Sequence, residues 1–359
     1  MSGIRYELRG ERPAEGLIDA LAEVHPRLGI AGLLRRRGRR AFAGGILAPA
    51  VTESFRWGPA DGWSLRWWPQ GVEVLSDRHD GDKLDELLVV SWFAQERRGS
   101  SQGARISVVD RRNPRRPRYH HVLLVEPTRS PDGDLGFAPV HIHAGGLAGV
   151  GDVLFAAATF GGLRRFDLRD ILRVTGRAPF GYRCVLPQSG HEKLQGGEGD
   201  DRMRFSFVSV ERSEEGGDEH LVVGEFGPHH DGRRLGRVRV GGVEVIELEE
   251  PKIPRMQGAA LIHGTWFVSA SNGLKPGDLW VGSRSDAASG STSPTTWRRH
   301  RHVLPMGPED LAVSTDGTRL WSLCEYPRHR GVYAMDATRW ASEPGTSDPP
   351  EPQSRRPSP

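Results

Sequence analysis

Cysteine is scarce in this chain. Its 359 residues include only two cysteines, Cys184 and Cys324, which lie far apart and outside any Cys-x-x-Cys pair. A disulfide framework and a cysteine-based zinc site are therefore excluded. The sequence leaves open whether the two form a single bridge.

Long apolar runs and lysines are also lacking. No stretch approaches the length of a membrane-spanning helix, so we expect no membrane span. Only four of the 49 basic residues are lysines, and the formal net charge is +3. The arginine clusters, such as Arg35–Arg37 and Arg111–Arg118, come with no nucleic-acid-binding motif. We interpret them as solvated surface and expect no nucleic-acid partner.

Familiar catalytic motifs are absent as well. The chain has no Gly-x-Ser-x-Gly nucleophile elbow, no phosphate-binding P-loop and no His-Glu-x-x-His zinc motif. Any chemistry must therefore come from residues that the fold brings together.

Glycine and proline are abundant, with 46 and 26 residues. So many helix breakers exclude a coiled coil or a large helical bundle. Together with 10 tryptophans and short Val, Leu and Phe runs, they predict an all-β protein with many tight turns.

One pattern occurs five times: an inner strand opened by glycine or a polar residue, a tight turn, a very apolar second strand and a third strand. The five openings are Pro69–Val72, Ala144–Leu147, Arg204–Phe207, Met256–Ala259 and Pro308–Leu311. A fourth strand follows in the first four repeats, at Gly181–Leu186 in the second. The last repeat lacks one, and Thr52–Trp57 could supply it. This pattern predicts a five-bladed β-propeller whose last blade is closed by an N-terminal strand.

The ends of the chain differ from the repeats. Residues 1–51 are expected to form a partly helical N-terminal extension, residues 52–340 the propeller, and residues 341–359 a disordered, proline-rich tail. The extension contains a helical pattern at Pro13–Val24. The residues Arg39–Phe42 look like a twin-arginine motif, and the apolar stretch Ala41–Val51 follows its two arginines. Together they have the outline of an export signal. Because that apolar stretch is weak, we favour the cytoplasm, with export as the alternative.

In a propeller, the openings of the inner strands and the ends of the second strands meet at one funnel. The catalytic candidates at these positions are Glu309, Glu325, His143 and Glu225. The substrate-binding candidates are Gln70, Trp92, Phe160, Arg204, Gln257 and Tyr326. Carboxylates held close together cannot all ionise cheaply, so one of them could act as a general acid. The alternative is that these acids pair with Arg204 and other arginines and hold the blades together.

A metal ion is a second way to relieve crowded carboxylates. No cofactor is required by the sequence, but a divalent cation could bind at the funnel. His141 and His143 alternate on an expected strand, which would place both rings on one face as a metal pair.

Several segments together resemble one protein family. They are His143–Gly146, Val185–Gly190, Met256–Gly258, Gly307–Leu311, Leu320–Leu323 and Glu325–Pro327. From Trp57 to Met335 the chain resembles an uncharacterised family of bacterial propeller proteins, which implies the five-bladed fold and an important funnel but no activity. Pro308–Glu325 is also similar to blades of streptogramin B lyase-like propellers. That similarity implies a metal-assisted lyase whose His and Glu act at the central funnel.

These observations predict a small-molecule enzyme of secondary metabolism, of lyase, cyclase or hydrolase type. Its carboxylates and histidine would act as acid and base or hold a metal. The alternatives are a ligand-binding propeller without chemistry and a protein-interaction scaffold. We expect a monomer or a weak homo-oligomer.

Overall fold

The chain is mostly β-structure. The computed structural model describes residues 6–13, 16–75, 87–96, 99–196, 203–211, 220–227, 234–241, 245–283 and 295–345. Its strands are β1 (Glu7–Glu11), β2 (Arg39–Arg40), β3 (Phe42–Ala43), β4 (Glu53–Arg56), β5 (Trp67–Leu75), β6 (Leu87–Ala94), β7 (Ala104–Asp110), β8 (Arg118–Arg129), β9 (Leu135–Pro139), β10 (Leu147–Val150), β11 (Val153–Ala157), β12 (Leu163–Asp167), β13 (Leu172–Arg173), β14 (Cys184–Gln195), β15 (Phe207–Val210), β16 (His220–Gly224), β17 (Leu235–Arg239), β18 (Val245–Glu249), β19 (Met256–Ile262), β20 (Thr265–Asn272), β21 (Lys275–Ser283), β22 (Thr296–Met306), β23 (Pro308–Val313), β24 (Arg319–Cys324) and β25 (Gly331–Asp336). The helices are α1 (Leu17–Val24), α2 (Gly29–Leu34), α3 (Pro59–Gly62) and α4 (Ala337–Ser342), with 3-10 turns at Leu168–Asp170 and Pro179–Gly181.

Within the described residues the strands form four sheets. The first is composite: β5, β6, β7 and β8 run in order, and β14 joins β8 to β12, β11 and β10. The second contains β15 to β18 and the third β19 to β22. The fourth orders β23, β24, β25, β4 and β3.

The strands that open the five repeats lie side by side around the centre of the molecule. β5 contacts β10, β10 contacts β15, β15 contacts β19, β19 contacts β23, and β23 returns to β5. The predicted all-β fold is therefore confirmed, as a nearly closed arrangement. The predicted pairing of the N-terminal strand is also confirmed, because β4 pairs with β25 from Ala334↔Glu53 to Gly331↔Arg56.

The sheets pack face to face, so their middle strands are buried on both sides. In β6 (LLVVSWFA), Leu88, Val90 and Trp92 belong to one apolar core, whereas Val89 belongs to the core on the opposite face. Side chains alternate between faces along a strand, and both faces are dry here. The sequence of β6, the second strand of this repeat, is therefore nearly all apolar.

The N-terminal segment runs along the outer edges of these sheets. β1 pairs with β14, β2 with β8, and β3 with β4. Helix α1 matches most of the helical pattern read from the sequence, and its Leu21 is fully buried in the core. Arg39–Phe42 spans β2 and the start of β3. No helix in the described part of the chain is long and apolar enough to cross a membrane.

The fourth strand of the second repeat is not where the sequence predicts it. Gly181 ends a 3-10 turn, and β14 begins only at Cys184. Val185–Pro187 runs parallel to β8, whereas the later part of β14 pairs with β12 and, on its other edge, with β1. The polar stretch Gln188–Lys193 is thus part of a strand that has partners on both sides.

Candidate functional site

Two glutamates meet where the last repeat opens. Glu309 is the second residue of β23, and Glu325 directly follows β24. Because Pro308 pairs with Cys324, the two glutamates lie at the same end of this hairpin. The two carboxyl groups lie close enough for each to shift the pKa of the other. Glu309 is 3% exposed, whereas Glu325 is half-buried.

Burial decides the protonation of this pair. It raises the pKa of Glu309 well above its usual range, and the charges of Glu325 and Asp310 raise it further. Burial also raises the pKa of Glu325, although the amide of Gln70 and the charge of Arg330 oppose that rise. These effects favour the protonated form of Glu309, which can share its proton with the neighbouring Glu325 carboxylate.

An amide flanks each carboxyl group. Gln70 Nε2 lies 3.2 Å from Glu325 Oε2, and Gln257 Nε2 lies 3.2 Å from Glu309 Oε1. Gln70 comes from β5 and Gln257 from β19, so three repeats contribute to one group of side chains. We call Gln70, Gln257, Glu309 and Glu325 the carboxyl–amide cluster. The structure thus brings together four of the residues predicted from the sequence.

Tyr326 forms a wall beside the cluster. Its ring meets the ring of Trp68 edge-on, with 6.3 Å between centroids. Gly307 adopts φ +63°, and a Cβ there would lie 2.6 Å from Tyr326 Cδ2, so only glycine leaves room for this ring. Burial and the two glutamates raise the pKa of the Tyr326 hydroxyl, which therefore stays protonated as a donor.

Two further acids hold the inner strands together. Asp310 Oδ2 accepts the N–H groups of Val72 and Leu147, both at 3.1 Å, and so ties β23 to β5 and β10. Glu73 accepts the N–H of Gly149 at 2.9 Å and links β5 to β10 again. Sequence reasoning missed both acids: Asp310 lies within the opening Pro308–Leu311 but was not singled out, and Glu73 directly follows the opening Pro69–Val72. Their signal is a carboxylate within an otherwise apolar strand.

Glu225 does not join the cluster, so its predicted crowding with Glu309 and Glu325 is wrong. The side chain is fully buried and paired with Arg234, at 2.8 Å from Nη2 and 2.9 Å from Nε. It also accepts the N–H of Arg204 at 2.8 Å. A carboxylate fixed by a two-pronged arginine contact is a structural anchor. The alternative considered from the sequence, acids held by arginines, describes Glu225 well.

Trp92 is not a substrate-binding residue. Its side chain is fully buried in the core, and its Nε1 donates a hydrogen bond to Ser107 Oγ at 2.8 Å. It packs edge-on against Trp57. Because the second strand is buried on both faces, a tryptophan near its end fills the space between sheets.

Phe160 and Arg204 lie together at a different part of the rim. Phe160 is 51% exposed, and the Arg204 guanidinium lies 5.8 Å from the centre of its ring. His143 packs against Phe93, with 4.3 Å between ring centroids. This contact removes water from one ring face, and burial lowers the pKa of His143. Among the described residues, no hydrogen bond links His143 to the carboxyl–amide cluster.

The expected strand at His141–His143 is also wrong. These residues form an extended loop between β9 and β10, so the reason for placing both rings on one face is lost. The loop is pressed against β15: a Cβ on Gly146 would lie 2.2 Å from the backbone nitrogen of Val208. In the described part of the chain, no three His, Cys, Asp or Glu side chains are grouped to hold a metal ion.

A buried network that sequence reasoning missed lies behind the cluster. Arg330 donates to the carbonyl oxygens of Glu325 and Ser64, both at 2.5 Å. It also reaches the Asp61 carbonyl at 3.3 Å. The Asp61 carboxylate accepts from Arg105 at 2.9 Å and from His121 at 3.0 Å. These contacts fix α3 and the end of β24 relative to the first sheet.

No family model matches the chain, and no curated protein matches it. The resemblance to a bacterial propeller family is thus without support from a family model. A proposed oxidoreductase (glucose dehydrogenase) from Thermus thermophilus is 14% identical with a TM-score of 0.37, over 91% of this chain and 100% of that one. An intramolecular trans-sialidase from Ruminococcus gnavus is 11% identical with a TM-score of 0.30, over 67% of this chain and 52% of that one. An ancestral GH74 enzyme is 12% identical with a TM-score of 0.36, over 87% of this chain and 49% of that one. The chain spans about half the length of the last two, and at these TM-scores the matches carry no argument about its activity.

Proposed function

We propose that the chain is a five-bladed β-propeller and a small-molecule enzyme that uses acid–base chemistry at the carboxyl–amide cluster. The blade count is supported by the ring of β5, β10, β15, β19 and β23, each of which opens a run of antiparallel strands. Closure of the last blade by β4 supports it further.

The observation that carries the functional proposal is the Glu309–Glu325 pair. Glu309 is buried against a second carboxyl group and an amide, whereas the carboxylate of Glu225, which follows β16, is paired with Arg234. A pair used only to hold strands would be served better by the N–H contacts that Asp310 makes. Raised pKa values of carboxyl groups that are buried against each other are typical of acid–base sites.

The burial of the two residues suggests a division of roles. Glu325 is the more exposed and would contact the substrate, whereas Glu309 would position it and stabilise its charge through the shared proton. In an elimination or cyclisation, the Glu325 carboxylate would take a proton from the substrate. It would then return that proton to the leaving-group oxygen of an elimination, or to the oxyanion generated by ring closure in a cyclisation, so that no net charge accumulates. Tyr326 and the two amides would orient the substrate.

The donor set suits proton transfer better than a divalent cation. The two glutamates share a proton, and each faces an amide N–H group. A hard cation would need those positions as oxygen ligands.

Ligand binding without chemistry is the second candidate. It is favoured by aromatic side chains at the rim, where Phe160 is 51% exposed and Phe226 is 38% exposed. Exposed aromatic side chains are common in ligand-binding sites.

The test compares the wild-type protein with Glu325→Gln and with a control, Glu126→Gln, a half-buried glutamate of β8 that pairs with Arg164 outside the carboxyl–amide cluster. Each is incubated with a bacterial small-molecule extract, and mass spectrometry follows the compounds consumed and formed. We expect conversion by the wild-type and control proteins and a loss of roughly a hundredfold or more in Glu325→Gln. Equal conversion by Glu325→Gln would contradict the acid–base role. Thermal stabilisation by an extract component that no variant converts would favour ligand binding instead.

A further inference from the structure

An arginine-rich cleft lies on the outer edge of the first sheet, away from the carboxyl–amide cluster. It has a volume of about 650 Å³. Its charged lining residues, all exposed, are Arg37, Arg39, Arg40, Arg115, Arg116 and Arg118. We call it the basic cleft.

The backbone fixes these arginines in place. β2 pairs with the start of β8, so Arg40 lies directly opposite Arg118. Like charges in such a cross-strand pair destabilise a sheet. Arg39 lies 3.4 Å from the buried Asp61, and Arg118 donates to the Gly38 carbonyl at 3.2 Å. Within the described residues, the other four have no carboxylate at ion-pair distance.

The concentration of charge is local. Six arginines and no acidic residue line the cleft, although the formal net charge of the whole chain is only +3. Elsewhere on the surface arginines are paired with acids, as Arg169 is with Asp167 and Arg112 with Asp110. Unbalanced charge at one place is the electrostatic signature of an anionic partner.

Exposed aromatic rings continue this surface. Phe42 lines the basic cleft and also a neighbouring cleft of about 400 Å³, which Trp63 and Arg328 line as well. Phe42 is 49% exposed and Trp63 is 63% exposed, and the Arg328 guanidinium lies 5.1 Å from the Trp63 ring. Rings of this kind sit well at the boundary between headgroups and acyl chains.

We propose that the basic cleft and the rings of Phe42 and Trp63 form a docking surface for an anionic lipid membrane. The guanidinium groups would bind phosphate headgroups in a two-pronged manner. The two rings would enter the interfacial layer beside them. A soluble polyanion would match the arginines alone, whereas a membrane matches both the arginines and the adjoining rings.

The experiment is co-sedimentation of the full chain with phosphatidylcholine vesicles prepared with or without phosphatidylglycerol. We expect binding only to the anionic vesicles, weakened by salt. The triple variant Arg40→Gln, Arg115→Gln, Arg116→Gln should bind roughly tenfold more weakly or worse. The control variant Arg9→Gln, Arg12→Gln, Lys275→Gln removes the same charge at exposed positions that do not line the basic cleft, and it should bind as the wild type does.

The double variant Phe42→Ser, Trp63→Ser separates a membrane from a soluble polyanion. Loss of vesicle binding with heparin binding unchanged supports the membrane surface. Vesicle binding unchanged in this variant, equal weakening in the two charge variants, or no preference for anionic vesicles would each overturn the proposal. Thermal melting checks that every variant is folded. Both exposed rings can be replaced without opening the core.

Discussion

At the scale of single residues, the contribution of Glu309 to the stability of the fold depends on whether its carboxyl group is protonated. The carboxyl group is 3% exposed and faces Glu325 and Gln257. Its raised pKa means that folding favours the protonated form. The resulting stability is complete below the ordinary glutamate pKa of 4.5 and is lost as pH rises toward the folded-state pKa.

We therefore predict that Glu309→Gln becomes more stable than the wild type as pH rises. Glutamine stays neutral in the same volume and keeps an oxygen and an N–H group for its neighbours. Above pH 4.5 the difference in the free energy of unfolding should grow by up to about 1.4 kcal/mol per pH unit, until the folded-state pKa is reached. Urea unfolding of both proteins at several pH values measures it. A difference that does not change with pH would mean that Glu309 is ionised in the folded protein.

At the scale of strands and sheets, the central strands β5, β10 and β23 are held together by polar contacts among apolar side chains. Asp310 is fully buried and receives the N–H groups of Val72 and Leu147. These two donors belong to strands of different repeats, and no ladder bond within a sheet can replace the contact. One side chain thus fixes three strands relative to one another.

Replacing Asp310 with alanine should leave two buried N–H groups without an acceptor. The expected cost is about 2 to 5 kcal/mol, since each unsatisfied group costs about 1 to 3 kcal/mol. Asp310→Asn, which keeps one oxygen in place, should lose much less. Denaturant unfolding of the two variants tests this prediction. Equal losses would show that the charge of Asp310 matters more than its contacts.

The sequence predicted strands well where the sheets are buried on both faces, and less well at their edges. Strands β6 and β24 could be predicted from their apolar runs, because both faces of each strand are buried. The polar β14 could not be recognised, since the partners on its two edges come from distant segments. Likewise, Glu309, Gln70 and Gln257 could be predicted from their places at the openings of inner strands, and Glu325 from its place at the end of a second strand. The pairing of Glu225 with Arg234 does not, because no spacing rule links them.

At the scale of the whole molecule, the N-terminal segment is part of the folded unit. Leu21 and Leu33 lie in the main cores, and Ala41 is buried between β2 and β3. The Tyr6 hydroxyl accepts a hydrogen bond from Arg234, the partner of Glu225, and the Tyr6 carbonyl accepts the N–H of Val245. Cleavage in the Ala48–Ala50 stretch, where an export signal would end, would remove all of these contacts.

We therefore predict that a chain starting at Val51 does not fold. Removal of residues 1–50 exposes the outer edges of β8, β14 and β4 and takes buried side chains out of four cores. Burying each such leucine is worth about 1.5 to 3 kcal/mol, so the loss approaches the whole stability of a domain. Circular dichroism melting of the purified truncation measures this, with a chain lacking only residues 1–5 as the control. A cooperative transition near that of the full chain would show that the segment is dispensable, and would restore a cleaved export signal as the better account of it.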